Sequence, residues 1–340
     1  MKFLNKISEY KYLYDDLTIV KISNATKLYY QYRKSVNQGK SQLTAYPIAI
    51  SVEPTTACNL QCPQCISGLR AFTRSTGTMD LKLFNSIITQ LSPYLMYNTL
   101  YFQGEPMLNK SIFDMINLAS ENNIYTSTST NGHYLSDEAC TLLINSGLQK
   151  IIISVDGANS LSYSKYRIGG DFDKVKEGIA QLVSKKQQLR KSNPIIVMQF
   201  VVFNHNENEI EDIKKLAKKL KVDRLEIKTA QVYDYQTDSE WIPNKVELSR
   251  YQKDANNIYQ IKNDHLNKCW RMWQSAVITW DGKVVPCCFD KDAHHSMGNL
   301  NNNSFEEIWF SDKYNDFRNQ ILRSRKSINI CTNCTEGMKK

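Results

Sequence analysis

The chain has 340 residues, with 43 Lys and Arg against 34 Asp and Glu, a formal charge of +9, and 41% hydrophobic residues. Length and apolar content suit one large α/β domain with a smaller appendage, and no apolar run is long enough for a membrane-spanning helix. Nine cysteines without a secretory signal sequence argue against a disulfide framework and for reduced thiols and metal in a cytoplasmic protein.

In chain order, residues 1–46 are expected to form a helical N-terminal extension. Tyr10, Tyr12, Leu13, Tyr14 and Leu17 come first, then Leu28, Tyr29, Tyr32 and Val36 among Lys27, Arg33, Lys34 and Lys40. Packing on the main domain is the plain account. A docking surface for a partner or an anionic membrane is the sharper one.

Next comes a β-branched run, Pro47-Ile48-Ala49-Ile50-Ser51-Val52-Glu53, of strand length. Cys58, Cys62 and Cys65 follow it at CxxxCxxC spacing, and Leu69 and Phe72 lead on to a helical segment from Asp80. Three thiolates on one short loop can hold three irons of a [4Fe-4S] cubane and leave the fourth without a protein ligand. An open metal position can take a substrate or cofactor, as it does at catalytic zinc. Three buried core cysteines, or half of a zinc site, are the competing accounts. The loop lies just past the C-terminal end of a strand, where α/β folds place active sites.

Strands are predicted at 47–53, 98–103, 123–129, 150–155, 195–203 and 223–229, and helices at 80–93, 111–122, 136–147, 172–190 and 207–220. Such alternation implies βαβ crossovers and a parallel sheet, and six units suggest a partial (β/α)6 TIM-like barrel. Lys185, Lys186, Lys214, Lys215, Lys218 and Lys219 fall on polar helix faces, so the positive charge is taken as a solvated surface and no nucleic-acid partner is expected. Cys140, beside Leu142 and Leu143, is taken as core.

A bridging segment, with a helical stretch after Val246, leads to a second cysteine group. Cys269 is followed by a hairpin signal at Asp281-Gly282 between 276–280 and 283–286. Cys287 and Cys288 come after the hairpin, short helices are predicted at 305–310 and 314–324, and Cys331 and Cys334 form a CxxC. Four thiolates from this group suit a fully ligated [4Fe-4S] cluster or a structural zinc. His294 and His295 are expected to be exposed loop residues.

Together, Cys58, Cys62 and Cys65 after a first strand, and the Cys269–Gly282–Cys287 opening with its later CxxC, resemble radical S-adenosylmethionine enzymes with a shortened SPASM-type auxiliary-cluster domain. The resemblance implies four segments: an extension at 1–46, the radical SAM partial barrel at 47–235, a bridge at 236–268 and a small cysteine-rich iron-sulfur domain at 269–340. It implies a catalytic cluster on Cys58, Cys62 and Cys65, with S-adenosylmethionine chelating the open iron. It also implies reductive cleavage of that cofactor to a 5′-deoxyadenosyl radical, with an electron donor such as flavodoxin or ferredoxin. An auxiliary cluster on Cys269, Cys287, Cys331 and Cys334 would follow the same resemblance.

Residue by residue, Gln103-Gly104-Glu105-Pro106 stands where the family has a Gly-Gly-Glu-Pro-like motif, so Gly104 and Glu105 are expected at the methionine amino group, with Gln103 a departure. Ser129 and Asn131, then Ser154 and Asp156, resemble the loops that contact the ribose and carboxylate. Arg167 resembles an arginine that pairs with the cofactor carboxylate, and Asn204 a residue facing the adenosine. Cys288, next to a ligand, is either a spare or alternative thiol or a hydrogen donor to a substrate radical. Hydrogen abstraction from a peptide or protein is the expected reaction. The alternatives are a dehydrogenase or epimerase acting on a sugar or aminocyclitol, and a non-catalytic metal-binding scaffold. No separate leader-peptide-binding domain is expected ahead of the barrel.

Overall fold

A computed structural model describes residues 17–336; Tyr10, Tyr12, Leu13 and Tyr14 lie outside the described residues. Six strands follow the predicted alternation: β1 (Ala49–Val52), β2 (Tyr97–Leu100), β3 (Tyr125–Thr130), β4 (Lys150–Ser154), β5 (Ile195–Val202) and β6 (Arg224–Thr229). Helices Leu81–Leu91, Ile112–Glu121, Asp137–Asn145, Phe172–Gln188 and Ile210–Lys219 sit at the five expected places. Several start on side-chain caps. Asp80 accepts from Leu83 N at 2.7 Å and Ser136 from Ala139 N at 3.2 Å.

The chain divides into two compact units. The first comprises residues 17–56, 73–126 and 263–336. Here β1 pairs in parallel with β2 on one side and, on the other, with β9 (Ser275–Ile278), Ala49 opposite Ser275. β9 turns back through Asp281-Gly282 into β10 (Lys283–Val285), which pairs with β11 (Gly298–Asn299). Gly282 has φ of 84°, the left-handed conformation the turn demands. The hairpin was legible in the sequence; its parallel seat beside β1 was not.

A buried ion pair anchors this hairpin. Glu53 and Arg74 meet bidentately at 2.6 and 2.9 Å, and Glu53 also accepts from Trp280 N at 3.2 Å. Helix Ile19–Gln38 belongs to the same unit and lays Tyr29 and Tyr32 against Trp270, with ring centroids 5.7 and 5.0 Å apart. Helices Phe305–Trp309 and Asp312–Ser324 complete the unit. Arg318 is fully buried between the Trp309 and Tyr314 rings, 4.3 and 4.0 Å from their centroids.

The second unit comprises Ala57–Phe72 and Ser127–Lys262. β3, which begins two residues earlier, pairs in parallel with β4, β4 with β5, and β5 with β6. β5 is apolar and buried along most of its length, as a central parallel strand should be. β6, half exposed and charged, is an edge strand. Cys140 is fully buried, its thiol pushed up to about 12 by that burial. Lys185 and Lys186 pair with Asp137 and Asp223, and Lys214 and Lys215 with Glu211 and Asp212.

One expectation fails here. After Val246 there is only a single 3-10 turn, Val246–Leu248, followed by a hairpin of β7 (Tyr251–Lys253) and β8 (Tyr259–Ile261). Local side-chain chemistry overrides the helical pattern. Asp254 Oδ1 accepts from Asn256 N and Ile258 N at 2.9 and 3.0 Å, and Asn257 takes φ of 62° to close the turn. Lys262 Nζ, donating to Ser249 O at 2.8 Å, ties the hairpin's end to the 3-10 turn.

Candidate functional site: two cysteine groups

In the second unit, the loop carrying Cys58, Cys62 and Cys65 is fixed by its non-cysteine residues. Asn59 Oδ1 accepts from Asn131 Nδ2 at 2.7 Å, and Gln61 N donates to Ile168 O at 2.9 Å. Gln64 accepts from Tyr233 N at 2.9 Å and donates to Asp238 at 2.8 Å, while Ile66 N donates to Tyr233 Oη at 3.2 Å. Gly68 lets the short helix Ile66–Leu69 close on Cys62, since a Cβ there would stand 2.5 Å from Cys62 N. Three cysteines therefore project from a braced turn. This bracing through Gln64 and Tyr233 carries no sequence motif that would have announced it.

Cys62 is buried and Cys58 and Cys65 half-buried. Burial pushes the Cys62 thiol up to about 11, against the opposing pull of the Arg167 guanidinium and with the neighbouring thiols Cys65 and Cys58 adding to the rise. Arg167 Nη1 reaches Cys62 Sγ at 3.9 Å. Its own charge is met by Asp156, which is fully buried and accepts from Arg167 Nε at 2.7 Å and, through its other oxygen, from Val201 N at 2.8 Å. Tyr166, Phe203 and Trp241 form an aromatic wall packed on the cysteines.

Other candidates of this unit fall around the same strand ends. Asn131 is 4% exposed and, besides Asn59, accepts from His133 N at 3.1 Å. Ser129 is the penultimate residue of β3 and Ser154 the last of β4. Asn204 opens a 3-10 turn after β5 and donates to Ile242 O at 3.3 Å. Gly104 and Glu105 belong to the first unit. Gly104 has φ of 71°, and Glu105 caps the turn Pro106–Leu108 by accepting from Met107 N at 3.1 Å.

The second cysteine group lies wholly in the first unit. Cys269 precedes the turn Arg271–Gln274, Cys287 and Cys288 follow β10, and Cys331 and Cys334 flank a tight turn closed by Cys334 N donating to Cys331 O at 3.1 Å. The thiols sense one another. Burial raises Cys269 to about 11, with Cys334 adding to the rise, and Cys287 is raised by its hydrogen bond with Cys288 and by Cys269. Cys288 moves the other way, to about 6, through the Cys287 hydrogen bond and the Arg271 guanidinium, whose Nη1 stands 3.8 Å from its Sγ. Arg325 Nη2 donates to Cys334 Sγ at 3.2 Å. His294 pairs with Asp292 at 3.6 Å, and His295 bonds Asn329 at 2.7 Å.

Both groups fit a thiolate-ligated cluster by their donor chemistry. Each supplies cysteine sulfurs with a guanidinium near at least one of them, Arg167 at the first and Arg271 and Arg325 at the second, the counter-charge that suits an anionic cluster. Among the described residues no group of three or more His, Cys, Asp and Glu is arranged as a metal-ion site.

Comparison with known proteins agrees with this chemistry. The Radical SAM superfamily model matches residues 52–224, just over half of the chain, and an iron-sulfur cluster-binding domain model, SPASM, matches residues 269–335. The chain is 25% identical to the tungsten-containing aldehyde ferredoxin oxidoreductase cofactor-modifying protein of Pyrococcus furiosus, over 84% of this chain and 86% of the relative. It is 24% identical to the PqqA peptide cyclase of Gluconobacter oxydans, over 81% of this chain and 80% of the relative. Among solved structures it resembles Streptococcus suis SuiB bound to S-adenosylmethionine, with a TM-score of 0.62 and 15% identity over 90% of this chain and 75% of that one.

Proposed function

This chain belongs to the radical SAM superfamily, and on that premise we propose that it is a maturase-type enzyme that abstracts a hydrogen atom from a peptide or protein. It uses a [4Fe-4S] cluster and S-adenosylmethionine, and its SPASM domain implies auxiliary iron-sulfur chemistry in place of the zinc left open by spacing alone. The observation that carries the peptide class is the kinship with PqqA peptide cyclases over most of both chains. When bound, the cluster and S-adenosylmethionine supply a one-electron route to hydrogen abstraction, fed by a donor of the flavodoxin or ferredoxin class.

The rest is done by side chains. Cys58, Cys62 and Cys65 would hold three irons of the cluster, with the fourth left to the cofactor. Arg167, held by Asp156, stands over Cys62 and serves the cofactor carboxylate, while Tyr166, Phe203 and Trp241 keep water out. Ser129, Asn131, Ser154 and Asn204 offer hydroxyl and amide groups to the sugar and adenine, and Gly104 with Glu105 serves the methionine amine. Cys269, Cys287, Cys331 and Cys334 hold the auxiliary cluster. A hydrogen-donor role for Cys288 needs an S–H bond, which the nearby Arg271 disfavours. Full turnover with unchanged product in Cys288→Ala would end that role.

Anaerobic reconstitution tests the whole reading. About eight irons and eight sulfides per chain are expected from two four-iron clusters, with 5′-deoxyadenosine released on reduction. A short peptide encoded beside the gene should change mass in the reaction. Turnover of a sugar or aminocyclitol, with the peptide untouched, would replace the peptide class by a small-molecule dehydrogenase or epimerase.

A further inference from the structure

Arg325 stands apart among the charged residues of the cysteine groups. It is 1% exposed, its Nη2 donates to Cys334 Sγ at 3.2 Å and its Nη1 to Lys268 O at 3.3 Å, while its Nε is buried without a partner. The charges that act on it are those of Cys269, Cys334 and Cys331, and among the described residues it forms no ion pair with a carboxylate. A buried cation without a counter-ion is strongly disfavoured. Among the described residues, the counter-charge named for it belongs to cysteine sulfurs, which would supply it as thiolate ligands of a cluster.

Arg271 differs. Its contact with Cys288 is longer, at 3.8 Å, its side chain is 42% exposed, and it shares its charge with Glu336 at 3.7 Å.

A cluster on four thiolates is an anion that gains one more negative charge when one electron enters, with no proton or ligand moving. Hydrogen bonds to its sulfurs, the net charge around it and its exposure set the potential of that couple. A guanidinium that is buried, uncompensated and bonded to a ligand sulfur favours the more negative, reduced state.

We propose that Arg325 sets the reduction potential of the auxiliary cluster, holding it above the value that the four thiolates alone would give. This rests on the auxiliary-cluster reading above, and iron content tests that reading separately.

The experiment is a dithionite titration, followed by electron paramagnetic resonance, of the reconstituted full chain and its Arg325→Gln and Arg325→Lys variants. Each is repeated in a Cys58→Ala background, which isolates the auxiliary signal. At the wild-type midpoint, Arg325→Gln should be at least tenfold more oxidised, a downward shift of 59 mV or more for a one-electron couple. Arg325→Lys should recover most of the shift, and the catalytic couple should stay in place. Equal shifts in Gln and Lys, an unmoved midpoint in Arg325→Gln, or loss of auxiliary iron from both variants would each overturn the proposal. A wild-type chain holding about four irons, with zinc at the second group, would overturn the cluster reading first and this inference with it.

Discussion

The two cysteine groups handle positive charge in opposite ways. At the first, the guanidinium of Arg167 is spoken for by the buried Asp156 and reaches Cys62 only at 3.9 Å. At the second, Arg325 has no carboxylate among the described residues and bonds Cys334 at 3.2 Å. With cysteine sulfur as the common donor, the protein therefore surrounds one group with a neutral ion pair and the other with net positive charge. A low potential suits the site that must inject an electron into S-adenosylmethionine. A higher one suits a site that accepts or holds an electron.

The largest effect should come from the thiols themselves. Cys58→Ala should reduce iron from about eight to about four per chain and abolish 5′-deoxyadenosine release. Cys269→Ala should lose the other four irons and keep the first cluster's spectrum. If either substitution empties both groups, the two are not separable and the contrast fails.

Next in size is Asp156→Asn, which keeps the shape and removes the counter-charge of Arg167. Breaking a buried pair in this way should cost about 3–5 kcal/mol, measured by urea unfolding of the metal-free chain. A change near zero would mean that Cys62 alone can balance Arg167, making the first group electrostatically like the second.

Arg271→Gln sharpens the contrast within the second group. Because Arg271 is half exposed and shared with Glu336, its removal should move the auxiliary midpoint less than Arg325→Gln does, in the same titration. An equal or larger shift would transfer the main role to Arg271.

The smallest effect concerns pH and, on the first group's side, rests on His133. Burial lowers the pKa of His133 below the ordinary histidine value, Lys174 and Arg167 add to the lowering, and the Asn131 hydrogen bond and Asp171 oppose it. The neutral ring is thus favoured in the folded chain. Its stabilisation is complete above the unfolded value of about 6.5 and is lost as pH falls through the lower folded value. Urea midpoints should drop as pH falls from about 6.5 toward the lower folded value, and His133→Gln should flatten part of that drop.

Much of the fold was legible because short β-branched runs and amphipathic helices carry their periods in the sequence. Each strand from β1 to β6 overlaps its predicted segment. The cysteines were legible by spacing. The seat of β9 beside β1 was not, since strand order depends on partners more than 200 residues apart. The hairpin after Val246 was lost because Asp254 and Asn257 act through turn chemistry that an apolar pattern does not record. Arg325 was hidden for a different reason. It sits in Arg323-Ser324-Arg325-Lys326, a basic run that looks solvated until Cys334 is placed against it. Asp156 was picked out, but as a cofactor contact; that its two oxygens go to Arg167 and Val201 follows only from the fold.

The pairing of β1 with β9 also fixes an order of events in the making of the protein. β1 ends at Val52 and its neighbour runs from Ser275 to Ile278. At a synthesis rate of roughly 5–20 residues per second, β1 waits roughly 11–45 seconds on the ribosome before that neighbour exists. Until then one edge of β1 has no partner strand, while Cys58, Cys62 and Cys65 are already translated. The nascent chain therefore carries its first three thiols well before the strand that will flank β1 has been made.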